Sequence, residues 1–123
     1  MNILLVDDDE MVLQTIGDFL NRRGHRVKTA SDGSEALQTM AAKPPDLIIS
    51  DIQMPGMGGI AFLRAIRERF PDLPVILMTG HATVETAVAA LRGRAYDYLK
   101  KPVSLEELQA CIGRIERNNH PKP

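Results

Sequence analysis

Between Asp46 and Gly59 the chain reads DLIISDIQMPGMGG. Leu47, Ile48 and Ile49 are apolar in succession, with no polar residue alternating between them. A strand with one wet face alternates. An unbroken run belongs to a strand covered on both faces, and such strands occur in parallel sheets sandwiched between helices. The run ends at Ser50-Asp51, and Pro55, Gly56, Gly58 and Gly59 follow as a loop rich in chain breakers. A carboxylate is thereby set at the carboxyl end of a buried strand, the edge at which open α/β sheets bind ligands. Asp51 lies too far upstream of the helix expected from about Gly58 to serve merely as its cap.

The rest of the chain repeats this grammar. Asn2 to Val6 (NILLV) reads as a first buried strand running into Asp7, Asp8 and Asp9, with Asp9 placed to cap a helix. That helix extends to about Arg23, with Val12, Ile16, Phe19 and Leu20 on one face and Gly24 to end it. Arg26 to Ala30 (RVKTA) alternates, so it is expected as a half-exposed strand near a sheet edge. Asp32 and Glu35 have capping-box spacing before a short helix with Ala36, Leu37 and Met40, stopped by Lys43-Pro44-Pro45. The Asp46–Ile49 strand follows. Leu63, Ile66 and Phe70 then have helical spacing within Ile60–Phe70, and Pro71 closes that helix. Pro74–Met78 (PVILM) is a buried strand ending at Thr79-Gly80. Val84, Ala87, Val88 and Leu91 recur at helical spacing, an amphipathic helix. Ala95–Leu99 (AYDYL) reads as a fifth strand, ending at Lys100-Lys101-Pro102. Ser104 and Glu107 have capping-box spacing before a last helix that buries Leu105, Leu108, Cys111, Ile112 and Ile115. Asn118–Pro123 has no periodicity and reads as a tail or the start of a linker, leaving residues 1–117 as one domain.

Five strands alternating with five helices, joined by short right-handed connections, make a doubly wound α/β fold with a parallel sheet. The flavodoxin-like strand order 2-1-3-4-5 has its switch point between strands 1 and 3. The ends of NILLV and DLIIS then lie side by side. A chain of 123 residues can bury a real core as one domain, and 44% hydrophobic with 25% charged residues suits a soluble globular protein. A formal net charge of -1 gives no electrostatic case for direct nucleic-acid binding or for an anionic membrane. No apolar run is long enough to span a bilayer, Met1 leads straight into a strand with no signal-peptide pattern, and the single Cys111 allows no internal disulfide. A cytoplasmic setting is expected, with Cys111 as a small buried hydrophobe rather than a nucleophile.

The polar residues at the strand ends form a constellation. Asp7 and Asp8 follow strand 1, Asp51 follows strand 3, Thr79 strand 4 and Lys101 strand 5, all on the carboxyl edge of the expected sheet. Three clustered carboxylates repel one another, and a hard divalent cation such as Mg²⁺ relieves that repulsion. A cation shared between carboxylates and a phosphate points to phosphoryl transfer. In that reading Asp51 is the nucleophile, becoming an acyl phosphate, while Thr79 donates a hydroxyl hydrogen bond and Lys101 a compact positive charge to the phosphoryl oxygens.

At these residues the sequence resembles the receiver domain of two-component response regulators, from Asn2 to about Arg117. The resemblance rests on VDDDE at Val6–Glu10, SDIQMPGMGG at Ser50–Gly59, MTGH at Met78–His81 and DYLKKP at Asp97–Pro102. It implies that Asp51 is the phosphoacceptor for a sensor histidine kinase or phosphotransfer protein, in a self-catalysed Mg²⁺-dependent reaction rather than enzymatic turnover. It implies Asp8 as a direct Mg²⁺ ligand, Asp7 as a ligand largely through water, and Gln53 as the source of a backbone carbonyl. Thr79 and Tyr98 match the switch hydroxyl and aromatic. Lys101 matches the phosphate-binding lysine, and Lys101-Pro102 matches a bond usually held cis. Gln53 and His81 match places that tune the phosphoryl lifetime. The resemblance further implies an effector domain or downstream protein as partner, association of two copies on phosphorylation, and an output surface on helix 4, strand 5 and helix 5. The wording is closest to receivers of AAA+ transcriptional activators, and receivers of the FixJ-like group and of hybrid sensor kinases are the alternatives. One departure stands out: the glycine usual just before AYDYL is Arg94 here, with Gly93 one residue earlier. Either the left-handed turn moves to Gly93, or Arg94 bears the strain.

Two other readings compete with a phosphoacceptor switch. A phosphatase of the haloacid dehalogenase type also uses an aspartate nucleophile and Mg²⁺, but needs an acidic residue two positions later as general acid. That position is Gln53, which cannot transfer a proton. A degenerate receiver that only binds partners would lack the acceptor or the lysine, and both are present.

Overall fold

Leu47–Asp51 forms a strand, β3, in which every residue is buried. It lies at the centre of a five-stranded parallel sheet of order β2-β1-β3-β4-β5. The computed structural model describes residues 1–54 and 56–118. In chain order the elements are β1 (Asn2–Val6), α1 (Glu10–Arg22), β2 (Arg26–Ala30), α2 (Gly33–Ala42), β3, α3 (Gly59–Arg69), β4 (Val75–Thr79), α4 (Val84–Arg92), β5 (Asp97–Lys100) and α5 (Leu105–Asn118). The doubly wound architecture and the flavodoxin-like order are those expected. Asn118, expected to open the tail, still belongs to α5, and the rest of the expected tail, residues 119–123, lies outside the described residues.

The sheet is covered on both faces, which is why β1, β3 and β4 carry no alternating pattern. On one face Ile3, Leu5, Ile49, Ile76 and Met78 pack with α1 and α5; on the other Leu4, Val6, Ile48, Val75 and Leu77 pack with α2 and α3. Edge strand β2 is mostly exposed, as its alternation predicts. Strands β3 and β4 run past the expected ends to include Asp51 and Thr79, and β5 starts at Asp97 rather than Ala95. Backbone pairing carries the polar strand-end residues into the ladder, and apolar character alone does not mark that limit. In α3 the fully buried aromatic is Phe62, whereas Phe70 caps the helix end half-buried. Glu35 does not close a box on Asp32. Its carboxylate reaches back to Ser31, taking that residue's N–H at 3.1 Å and hydroxyl at 2.7 Å.

Helix α4 departs most from its pattern. Of its residues only Ala90 is buried, while Val84 is 81% and Leu91 78% exposed. The apolar stripe Val84, Ala87, Val88 and Leu91 faces outward, and the small residues Ala89, Ala90 and Gly93 face the protein. Gly93 has to be small, because a Cβ there would sit 2.4 Å from Leu63 Cδ2 on α3.

That packing settles the Arg94 question. Gly93 has φ −79° and stays within the helical turn, and Arg94 takes the left-handed conformation at φ 57°. Its N–H bonds the Leu91 carbonyl at 3.0 Å, and that of Ala95 bonds the Ala90 carbonyl at 2.9 Å, a Schellman close with arginine in the glycine position. The end of α1 makes the same motif with Gly24 at φ 89°. A left-handed non-glycine residue costs roughly 1–2 kcal/mol. Arg67 braces the strained turn from α3, donating to the carbonyls of Gly93 at 2.9 Å and Arg94 at 3.0 Å. It also donates to Phe70 at 3.0 Å and Leu73 at 2.8 Å. Arg94→Gly is expected to raise stability by about 0.5–1 kcal/mol, the strain relieved less the entropy glycine adds to the unfolded chain. Urea denaturation checks this; an unchanged or lower midpoint contradicts it.

Candidate functional site

The carboxyl edge of the sheet gathers residues from four strand ends. Asp7 follows β1, its N–H bonded to the Ala30 carbonyl at 3.1 Å, which continues the β1–β2 ladder and buries the side chain completely. Its Oδ1 accepts the Asp9 N–H at 2.9 Å. Asp8 lies between them, exposed, and Asp9 caps α1 by accepting the Met11 N–H at 2.9 Å. Asp9 is a helix cap, as its position suggested.

Asp51 ends β3 and is 4% exposed. It does not cap α3, whose N-cap is Gly58 with no side-chain bond. The strand end is fixed from two sides. Ile52 N–H bonds the Met78 carbonyl on β4 at 2.9 Å, and Gly59 N–H at the start of α3 bonds the Ile52 carbonyl at 2.8 Å. Gly59 comes so close that a Cβ on it would lie 2.4 Å from the Asp51 carbonyl oxygen and 2.6 Å from Ile52 Cα.

Lys101 follows β5, and its N–H bonds the carbonyl of Thr79, the last residue of β4, at 2.7 Å. The Lys101–Pro102 bond is cis. Its ammonium lies 2.7 Å from Asp7 Oδ2 and 3.2 Å from Asp51 Oδ2. Burial pushes the Asp7 carboxyl above the usual carboxylate range, and the Asp51 charge adds to this; Lys101 and the Asp9 N–H oppose it without cancelling it. Burial disfavours the Lys101 charge, but Asp7 and Asp51 together outweigh it and raise the lysine above its ordinary value. The ammonium stays charged between two carboxylates.

Gln53 and His81 repeat one local device. The Gln53 N–H donates to Asp51 Oδ1 at 3.2 Å, and the His81 N–H donates to Thr79 Oγ1 at 3.0 Å. Each backbone steadies the side chain two residues earlier and leaves its own side chain exposed at the site's rim. The Thr79 hydroxyl is fully buried. Tyr98 on β5 is half-buried against the α2–α3 face, and its hydroxyl lies 2.6 Å from Thr86 Oγ1 on α4. Thr86 was not singled out from the sequence; it also forms a reciprocal capping box with Thr83. Its spacing from Thr83 is the signal that could have found it. Cys111 is fully buried on the inner face of α5, where burial first and the Asp97 charge second push its thiol up to about 11, so it takes no part as a nucleophile.

Carboxylate oxygens of Asp7, Asp8 and Asp51 all lie within 4.8 Å of one another. Asp7 Oδ2 is buried with no aligned hydrogen bond, its partner being the ammonium charge. An all-oxygen set of three carboxylates fits a hard divalent cation. The arrangement sets a recessed carboxylate among donors that could hold a cation, beside a fixed ammonium, with the Thr79 hydroxyl at the end of the neighbouring strand.

The response regulator receiver domain family model matches residues 3–113. The chain belongs to that family. Receiver domains are not a family of catalytic enzymes. Over 112 residues this receiver is 41% identical to the DNA-binding transcriptional regulator NtrC of Escherichia coli K12, covering 91% of the chain and 24% of that protein. Over 121 residues it is 40% identical to response regulator MprA of Mycobacterium leprae, covering 98% of the chain and 53% of that protein. The chain therefore spans about a quarter and about half of these relatives. A two-component response regulator from Clostridium difficile superposes with a TM-score of 0.93 at 28% identity, covering 98% of this chain and 99% of that one. No described helix of this receiver is long and apolar enough to cross a membrane.

Proposed function

We propose that this receiver is a phosphoacceptor switch in which Asp51 takes a phosphoryl group from the phosphohistidine of a sensor histidine kinase or phosphotransfer protein. The observation that carries the reading is the recessed Asp51 carboxylate beside Asp7 and Asp8, with the Lys101 ammonium between Asp7 and Asp51. An Asp51 oxygen forms the new P–O bond as the donor's P–N bond breaks. The electron pair returns to the imidazole nitrogen, which takes up a proton. Lys101 moves from Asp51 to the phosphoryl oxygens, and Thr79 donates its hydroxyl to another. Asp7, Asp8, Asp51 and the Gln53 carbonyl would hold Mg²⁺, which neutralises the charge gathering on the transferred group. Gln53 and His81, exposed at the rim, would set how easily water reaches the acyl phosphate. The protein turns over no external substrate. The domain runs through Asn118 at the end of α5, with 119–123 a tail or linker toward an effector, in a cytoplasmic setting and without direct nucleic-acid contact by this chain.

The same geometry supports a reading of the output. When Thr79 turns to the phosphoryl group, space opens beside β4, and Tyr98 rotates into it, releasing Thr86. The altered surface is α4, β5 and α5, where Val84, Val88 and Leu91 already stand exposed for an effector or a second copy. Such a change is a shift between populated states.

Two measurements check this. Asp8→Ala is expected to weaken Mg²⁺ binding at least tenfold, as loss of a carboxylate ligand should. An unchanged Mg²⁺ titration followed by NMR contradicts the metal assignment. Beryllofluoride mimics the acyl phosphate. Its addition should move amide signals from Thr79 through Val84–Leu91 to Tyr98, whereas shifts confined to residues touching the ligand would rule out this output surface.

A further inference from the structure

Helices α3 and α4 leave between them an open groove of about 760 Å³, away from the carboxyl-edge site. Ile60, Val84 and Val88 give it apolar walls. Arg64, Arg92 and Arg94 line it, all three exposed, and among the described residues none lies within ion-pair distance of a carboxylate. Arg67 is a fourth guanidinium, spent on the backbone carbonyls it braces. Against these stand Glu68 and Glu85, so cations are in excess.

Arg94 concentrates the problem. It holds a left-handed conformation that glycine would adopt without strain, and its charge lies near that of Arg67. Arg67 braces the backbone of that turn, but among the described residues no carboxylate lies within ion-pair distance of the Arg94 guanidinium. A strained residue that presents an unpaired charge on an open groove is a candidate for contact with an outside partner. The groove runs between two helices, and such clefts accept a third helix by its apolar ridge. Glu68 and Glu85 at its margin disfavour a uniformly charged polyphosphate backbone, whereas a helix can space its carboxylates to meet the arginines and miss the glutamates, and the chain's net charge of -1 provides no long-range pull on a polyanion. We propose that the α3–α4 groove docks an acidic amphipathic helix of a partner protein, its carboxylates on Arg64, Arg92 and Arg94 and its apolar face against Val84 and Val88.

The test is selection of random displayed peptides against the whole chain, followed by affinity measurement of the enriched sequences. Enriched peptides should be rich in Asp and Glu, with apolar residues at helical spacing, and their NMR footprint should fall on α3 and α4. Each exposed ion pair is worth roughly a factor of two to five. The triple variant Arg64→Gln, Arg92→Gln, Arg94→Gln should therefore lose about tenfold or more in affinity, and raised salt should weaken the wild type likewise. Labelling of that variant by acetyl phosphate should match the wild type, showing that its fold and acceptor site are intact. Absence of enrichment, peptides without acidic excess, equal binding by the triple variant, a footprint elsewhere, or displacement by a single-stranded oligonucleotide would each overturn the proposal.

Discussion

Gly59→Ala is expected to destabilise the domain by about 2–3 kcal/mol, near the upper end for overpacking a rigid site. Substituting alanine in a helix usually stabilises, so the sign here reports tertiary contact rather than propensity. The added methyl would lie 2.4 Å from the Asp51 carbonyl oxygen and 2.6 Å from Ile52 Cα. Both are backbone atoms, held by the β3–β4 ladder and by the Gly59 N–H bond to Ile52 at 2.8 Å. No rotamer change relieves the clash, so α3 must lift away or the end of β3 must shift. Asp51 ends that strand, and its carboxylate would leave its place beside Lys101. Thermal unfolding should fall by roughly 10 °C, and labelling by a small phosphodonor should slow with it. Gly17 on α1 is a control, since nothing lies within 4 Å of a Cβ built there. If Gly59→Ala and Gly17→Ala have equal stability, the close approach of α3 to the acceptor strand is not a real constraint.

The residues that meet at the site were legible because each ends a strand. Buried strands announce themselves as apolar runs, and the first two polar residues after each run must lie near one edge of a parallel sheet. Asp7, Asp51, Thr79 and Lys101 are all placed by that rule, with no knowledge of their contacts. What was not legible depends on neighbours distant in sequence. The stripe on α4 has the spacing of a core face, but periodicity identifies a face and not the side it turns to. Small residues opposite the stripe were the missed signal: Ala89, Ala90 and Gly93 let α4 lie close to Leu63, and Val84 and Leu91 are left outside. The same contact decided between Gly93 and Arg94 for the left-handed turn, a choice local rules leave open. The Thr86–Tyr98 bond and the Arg67 brace join residues 12 and 26 or more positions apart, and no local pattern encodes them. Leu63, Ile66 and Phe70 satisfy helical spacing without Phe62, so spacing alone does not single it out, although the buried face also spans their neighbour.

That Asp51 is the acceptor is the claim on which the switch depends, and replacing it has the largest effect expected of any change. Asp51→Asn keeps the shape and the acceptor bond to the Gln53 N–H, but an amide oxygen is too weak a nucleophile to take the phosphoryl group. The loss should be complete rather than graded. Asp7 and Asp8 do not substitute for it: Asp7 is tied to Lys101 and to the Asp9 N–H, and Asp8 is exposed. The measurement is intact-mass spectrometry after incubation with Mg²⁺ and acetyl phosphate. The wild-type chain should gain a single phosphoryl group, stable to acid and lost in base, and the Asp51→Asn chain should gain none. Equal labelling of the two chains would contradict the account.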